Sequence, residues 1–348
     1  MRNIVLVGLL VAAAGCSRGP RGGASYTNVT ISVPAGATTR AQPTRTLQVG
    51  ASPDVRVDSP AGTVALRGGD EGAVVVEAVL HGPTEADLDR IRVEVAQEDG
   101  DAVRLGWSAE GDRSGLAVAF TVTAPAASRL DVRTRVGSIT ADGFRGGLLA
   151  RTGGGTLEAT GVTGDLDLET GAGPVEVREG HGAVRVETGG GVIDVVDTTG
   201  ELRLRSGAGS IDVRGGQGSV HARTGGGVIA VRDRSGDLDV ESGAGSVDIV
   251  GAAGALRAET GGGTIEIDGR LSGECTVRTG AGSDTMRLPA DASLVVDGRT
   301  DAGGISTDFP LRVDGKFARK TVDGTLGDGS GGTLHIETGG GSLEVRKR

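Results

Sequence analysis

Aromatic residues are nearly missing from this chain: four Phe, one Trp and one Tyr in 348 residues. Aromatic side chains bring the largest buried areas to a core. A chain this poor in them must build a thin, aliphatic interior. Cysteine is as scarce, at Cys16 and Cys275 alone, which excludes a disulfide framework. The four histidines, His81, His181, His221 and His335, are scattered. No Ser-His-Asp or His-His-carboxylate spacing recurs, so all four read as solvated or turn residues. After the first fifteen residues no apolar run is long enough to cross a bilayer as a helix. Basic residues are in deficit, 36 Lys and Arg against 46 Asp and Glu, for a formal charge of −10. That balance argues against nucleic acid, and against anionic lipid, as an electrostatic partner.

Glycine, by contrast, supplies 65 residues, and it is periodic. Thr152, Thr170, Thr188, Ser206, Thr224, Ser242 and Thr260 fall 18 residues apart, and most open a TGGG or SGAG tetrad. Thr134 extends the series upstream, and Thr279 extends it downstream after one inserted residue. Around each of these hydroxyls the apolar residues keep fixed offsets. Leu166 and Leu168 precede Thr170, and Val175 and Val177 follow it; Leu202, Leu204, Ile211 and Val213 repeat the pattern around Ser206. Alternation with polar residues is the period of a strand with one buried face. Each rung is therefore two half-rungs of Gly-x-apolar-x-apolar plus a turn, and a rung cannot stand without neighbours. The predicted fold is an all-β, single-chain β-solenoid, β-helix-like, with 18 residues and two strands per rung and a strand-rich N-terminal cap. Glycine suits the corners because it reaches positive φ and permits close backbone approach. The inward Thr or Ser can bond a turn amide.

Two neighbouring architectures share the coil length. A left-handed hexapeptide helix would repeat its apolar signal every six residues, whereas here it repeats every nine, which favours two sheets over a three-sided prism. A calcium-dependent β-roll needs Asp at a fixed place after the glycines. Only Gly282-Ser283-Asp284-Thr285-Met286 provides it.

Residues 1–15 read as a lipoprotein signal peptide: Arg2, then an apolar run ending in Ala13-Ala14-Gly15-Cys16. The ending resembles a bacterial lipobox, which implies diacylation of Cys16, attachment to the membrane through that lipid and, with Ser17 next, outer-membrane sorting. Residues 16–44 are rich in Gly, Ser, Thr, Arg and Pro and read as a flexible tether. Residues 45–127 form a strand-rich lead-in that caps the first rung, with Trp107 and Phe120 as its bulky core and a short helix or turn at 84–89 capped by Thr84. The repeat domain takes 128–348. Its period breaks after Met286, and Thr338-Gly339-Gly340-Gly341 restores one rung with Leu334, Ile336, Leu343 and Val345. Phe309 and Phe317, in the break, are expected to plug that end. Cys275 occupies an inward apolar offset and reads as a core residue.

From about Thr46 to Arg348 the chain resembles the bacterial putative-adhesin family, Gly-rich β-strand-repeat envelope proteins. The resemblance rests on SPAGTVALRG, on TAPAASRLDVRTRVGSIT leading into the repeats, and on GTLGDGSGGTLHIETGGGSLEV near the end. It implies a repeat β-solenoid, secreted or membrane-attached. The family has no agreed catalytic residues, so it implies none here.

The regular rungs carry no insertion longer than one residue, so nothing walls a catalytic groove. The glycine tetrads have no following helix and are not phosphate loops. No cofactor is implied. One outward column, next to the tetrad hydroxyls, runs Glu169, Glu187, Arg205, Arg223, Glu241, Glu259, Arg278 and reads as self-neutralising. The middle outward position after the tetrad runs Glu158, Glu176, Asp194, Asp212, Ala230, Asp248, Glu266. This acidic strip, flanked by Val192, Val196, Val228 and Val250, is the candidate site. It would take a divalent cation, a cationic peptide or another envelope component. The reading is a non-catalytic cell-envelope lipoprotein for adhesin-like binding or scaffolding. The alternatives are a polysaccharide-acting β-helix enzyme or a calcium-dependent β-roll.

Overall fold

The computed structural model describes residues 37–348, except 71, 99–100 and 316–317. The signal segment, Cys16, most of the tether and Phe317 lie outside the described residues. The chain is all-β, 61% strand and 1% helix, in one large, mostly parallel sheet.

The 18-residue period becomes two parallel ladders. In the first, Leu148–Thr152, Leu166–Thr170, Val184–Thr188, Leu202–Ser206, Val220–Thr224 and Leu238–Ser242 pair each residue with the one 18 further on. In the second, Ile139–Asp142, Leu157–Thr160, Val175–Arg178, Ile193–Val196, Ile211–Arg214 and Ile229–Arg232 do the same. The alternate apolar residues of both ladders are buried in one cluster, at most 3% exposed across the regular rungs. Each such Leu, Ile or Val contributes about 1.5–3 kcal/mol by leaving water.

The tetrads explain themselves at atomic distance. A Cβ on Gly173 would lie 1.8 Å from the Gly155 carbonyl oxygen, and one on Gly171 would lie 2.3 Å from that of Gly153. A Cβ on the middle Gly154 or Gly190 meets nothing within 4 Å. The outer two glycines are thus forced by the preceding rung, and only the middle place admits Ala, as at Ala172 and Ala208. Close approach, not positive φ, is the requirement at the outer tetrad glycines. The hydroxyl before each tetrad ties the rungs together. Thr188 Oγ1 donates to the Gly173 carbonyl at 3.0 Å and accepts from the Gly191 N–H at 3.0 Å. Ser206, Thr224, Ser242 and Thr260 repeat both bonds.

Four expectations are corrected. The coil has a third, short side, because single residues Thr163, His181, Thr199, Gln217, Ser235 and Ala253 bridge in parallel. The chain reaches that side through a left-handed corner occupied by Gly161, Glu179, Asp197, Gly215 and Asp233, a conformation that costs about 1 kcal/mol for a residue with a Cβ. The next position points inward but holds Phe144, Val162, Thr198 and Arg234, all buried, so no apolar period announces it. Secondly, strand structure begins inside the expected tether: Thr38–Ala41 pairs antiparallel with Ala73–Gly82. Thirdly, His81 is buried rather than solvated, and burial lowers its pKa. Finally, the ends are not simple caps.

At the N-terminal end Asp54–Ala61 lies between Val103–Ala109 and Arg129–Val136, and Val64–Gly69 lies between Ala117–Pro125 and Ile139–Asp142. The lead-in therefore stacks in register with the repeats, with no break at 127/128. Trp107 and Phe120 are buried as expected, and Thr84 caps the single turn Glu85–Leu88 by accepting the Asp87 N–H. At the other end Gly332–Thr338 pairs with Ile265–Thr279 on one side and Leu294–Thr300 on the other. Leu343–Lys347 is likewise held between Asp284–Leu288 and Ile305–Thr307. The restored rung is thus inserted beneath residues that precede it in sequence. Phe309 is buried there, with the Lys347 ammonium 5.3 Å from its ring centre.

Candidate functional site: the acidic strip

The second ladder stacks the strip as its register requires. Glu158 pairs with Glu176, Glu176 with Asp194, Asp194 with Asp212, and Asp248 with Glu266; Ala230 stands between Asp212 and Asp248. Neighbouring carboxylates one strand spacing apart, about 4.8 Å, repel by roughly 1 kcal/mol even in water.

Arginines two residues along the same strands answer most of that repulsion. Arg214 donates to Asp194 at 3.3 Å and to Asp212 at 2.6 Å. Arg232 reaches both ways across the small Ala230, to Asp212 at 3.4 Å and Asp248 at 3.0 Å. Arg178 pairs with Glu176, and Arg287 with Glu266. The six carboxylates therefore meet four guanidinium groups: Asp194, Asp212 and Asp248 share two, and Glu158 at the end of the strip is left with none. Glu158 has no guanidinium within 4 Å among the described residues. Partial burial first, then the Glu176 and Asp142 carboxylates, raises its pKa, while Arg178 lowers it. Val192 and Val228, beside the strip, are 48% and 43% exposed.

The arrangement can hold cationic groups in series, but it is not a preformed ion cage. Among the described residues no group of three or more His, Cys, Asp or Glu side chains is placed to hold a metal ion. Asp284, the one residue in the calcium-roll register, points inward and is fully buried. It accepts hydrogen bonds from the Thr279 and Thr338 hydroxyls. Burial raises its pKa, and the two hydroxyls lower it. Its carboxylate closes the internal hydroxyl series and faces no solvent, which removes the basis for a β-roll site there. Cys275 is buried, as its offset predicts, and burial pushes its thiol pKa up. His181, His221 and His335 are exposed.

Arg234 escaped sequence reading because nothing in its neighbourhood marks it as different from the exposed arginines. It is 1% exposed, and no carboxylate lies within 4 Å among the described residues. Its guanidinium donates to the carbonyls of Thr198, Gly200, Gly215, Gln217 and Gly218 and to the Thr198 hydroxyl. Gly216 leaves the room it needs, since a Cβ there would lie 2.7 Å from Nη1. Burial lowers its pKa to about 10, so it stays charged at neutral pH. The repeat gives no signal for it, since the same place holds Val162, Gly180, Thr198 and Gly216 in the preceding rungs.

No protein-family model matches the chain, and no curated protein does. Three solved structures align along most of it. A putative adhesin from Bacteroides fragilis NCTC 9343 is 14% identical, with 88% of this chain and 97% of that one covered and a TM-score of 0.32. A putative cell adhesion protein from Clostridium sporogenes ATCC 15579 is 10% identical, with 89% and 100% covered and a TM-score of 0.24. A putative lipid binding protein from Parabacteroides distasonis ATCC 8503 is 11% identical, with 91% and 98% covered and a TM-score of 0.26. Likeness at these scores carries no weight for function.

Proposed function

We propose that the chain is a cell-envelope lipoprotein, anchored through Cys16, whose two-strand β-solenoid serves adhesin-like binding or scaffolding without catalysis. The observation that carries this reading is the acidic strip, in register over successive rungs. It offers the same weak contact repeatedly, and repeated weak contacts sum to useful avidity on an extended partner. The partner chemistry is cationic: a Lys-rich peptide, a divalent cation, or an envelope component that presents such groups. Glu158, left without a guanidinium beside the Glu176 carboxylate, makes that end the point of first attachment. The anchor follows from the apolar run ending in AAGC, and outer-membrane sorting from Ser17.

Two measurements test the two halves. A Lys-rich peptide should raise the melting temperature of the wild type by mass action, less at high salt. A Glu158→Gln, Glu176→Gln variant should lose most of that gain, and Asp212→Asn, already shared by two arginines, should lose little. No gain in the wild type, or equal gains in all three, rejects the strip. Cys16→Ser should move the protein from the membrane pellet to the soluble fraction; an unchanged pellet rejects the anchor.

A further inference from the structure

We propose that the exposed face around Arg205 binds oligoanions carrying at least two anionic groups about one strand spacing apart. The face belongs to the first ladder, away from the acidic strip, and the inference stands or falls separately from the function proposed above. Its register places Arg185, Arg203 and His221 in one outward column and Glu187, Arg205 and Arg223 in the next. All six side chains are at least partly exposed. The rungs on either side carry Asp167 and Glu169, or Asp239 and Glu241. Four arginines and a histidine thus cluster on three successive rungs, with Glu187 the one acid among them, in a chain whose formal charge is −10.

The outer guanidinium groups are held by acids at the rim. Arg185 pairs with Glu187 at 2.6 Å, Arg203 with Glu201 at 2.8 Å, and Arg223 with Glu241 at 3.1 Å. Arg205, at the centre, has no carboxylate within 4 Å among the described residues. It stacks directly on Arg223, a like-charge pairing that destabilises a ladder. These side chains line a shallow depression of about 320 Å³.

Fold stability does not account for this arrangement. Like charges stack elsewhere in the same column, as Arg133 does on Arg151, but there each guanidinium keeps a carboxylate, Arg133 with Asp131, Arg151 with Glu169 and Arg278 with Glu259, each at 3.0 Å. Arg203 and Arg205 on one strand, with Arg223 on the next, present forked donors that suit phosphate or carboxylate oxygens. One anion would satisfy Arg205. A second, about 4.8 Å away along the stack, would reach the next guanidinium and relieve the like-charge contact. The three rungs span only about 10 Å, which fits a short run of charges rather than a nucleic-acid duplex. Phosphate-bearing and uronate-bearing chains share this chemistry.

Calorimetric titration of the full chain at low salt, with inorganic phosphate, tripolyphosphate and trigalacturonate as probes, tests the site. At least one oligoanion should bind roughly tenfold more tightly than inorganic phosphate. Preference for tripolyphosphate assigns a phosphate-bearing ligand, and preference for trigalacturonate a uronate-bearing one; either supports the site. Arg205→Gln should weaken the preferred probe by roughly tenfold, Glu187→Gln should strengthen it, and Asp212→Asn on the other ladder should leave it unchanged. A melting curve equal to wild type will show that the outward Arg205→Gln variant folds. The proposal is overturned if neither oligoanion binds more tightly than inorganic phosphate, or if the folded Arg205→Gln variant binds as the wild type does.

Discussion

At the scale of single residues, polar atoms as much as apolar ones hold this interior together. From Thr170 to Thr260 each rung spends its inward hydroxyl on two backbone partners, one within its own turn and one in the rung before. Where the series meets Asp284, the hydroxyls of Thr279 and Thr338 turn to a carboxylate instead. That carboxylate has a raised pKa because it is buried. A group whose folded pKa lies above its unfolded value contributes stability that is complete below the unfolded pKa and is lost as pH rises through the folded one. Near neutrality Asp284 is therefore a cost. Asp284→Asn keeps the shape and a hydrogen-bonding partner for each hydroxyl, so it should raise the melting temperature at pH 7 by a few degrees, about 1 kcal/mol in a domain of this size. The gain should shrink as pH is lowered towards 4. Paired thermal melts at several pH values check this; a variant less stable than wild type at pH 7 would show that the charge is needed where it lies. The sequence disclosed the hydroxyl series, because its spacing is strict, and it also holds Asp284 at the inward offset, five residues after Thr279 as Val175 is after Thr170. A carboxylate in that apolar place reads instead as a calcium-turn residue, because no sequence pattern shows that two hydroxyls wait for it inside.

At the scale of elements, the regular rungs were legible and the terminal ones were not. Residues such as Leu202, Leu204, Ile211 and Val213 announce strand, face and partner together, since a parallel stack with a fixed period leaves one register that buries them all. Leu334, Ile336, Leu343 and Val345 announce the same things, and they are buried as expected. What their pattern cannot carry is spatial order. The final rung lies between residues 265–288 and residues 294–307, and the period holds no record of that insertion. The same limit concealed the first rung, Asp54–Gly69, between two later ones. The short third side was invisible for another reason: one bridging residue per rung is too brief to show alternation. Removing residues 332–348 takes away four buried aliphatic side chains and leaves a gap one strand wide, about 4.8 Å, between Ile265–Thr279 and Leu294–Thr300. The segment 289–331 should then become sensitive to limited proteolysis while the regular rungs stay protected. Mass spectrometry of the fragments decides it: protection of 289–331 equal to that in the full chain would contradict the inserted order.

For the whole molecule, the open question is which length is the unit of stability. The apolar alternation has a nine-residue period, yet the two halves of each rung are not equivalent. One half ends at the hydroxyl and its close-packed tetrad, and the other ends at the left-handed corner and the bridging side. In an array whose stability is a sum of rung and interface terms, loss of whole rungs removes energy without breaking cooperativity. Deletion of residues 153–188 joins Thr152 to Gly189 and restores the TGGG motif. It also brings Leu148–Thr152 against Leu202–Ser206 in unchanged register, and it spares all the carbonyls that receive Arg234. That variant should melt in one transition within a few degrees of the wild type. Deletion of only 153–161 preserves the apolar alternation but sets tetrads against left-handed corners. It leaves hydroxyls without their carbonyl partners, at about 1–3 kcal/mol for each buried group so stranded, and it should melt several kcal/mol lower or in a broad transition. Chemical denaturation of the two variants beside the wild type gives the answer. If the nine-residue deletion is tolerated as well as the 36-residue one, the hydroxyl series and the corners are decoration on a nine-residue repeat. If only whole rungs can be removed, the 18-residue coil is the unit on which the acidic strip and the Arg205 face are both displayed.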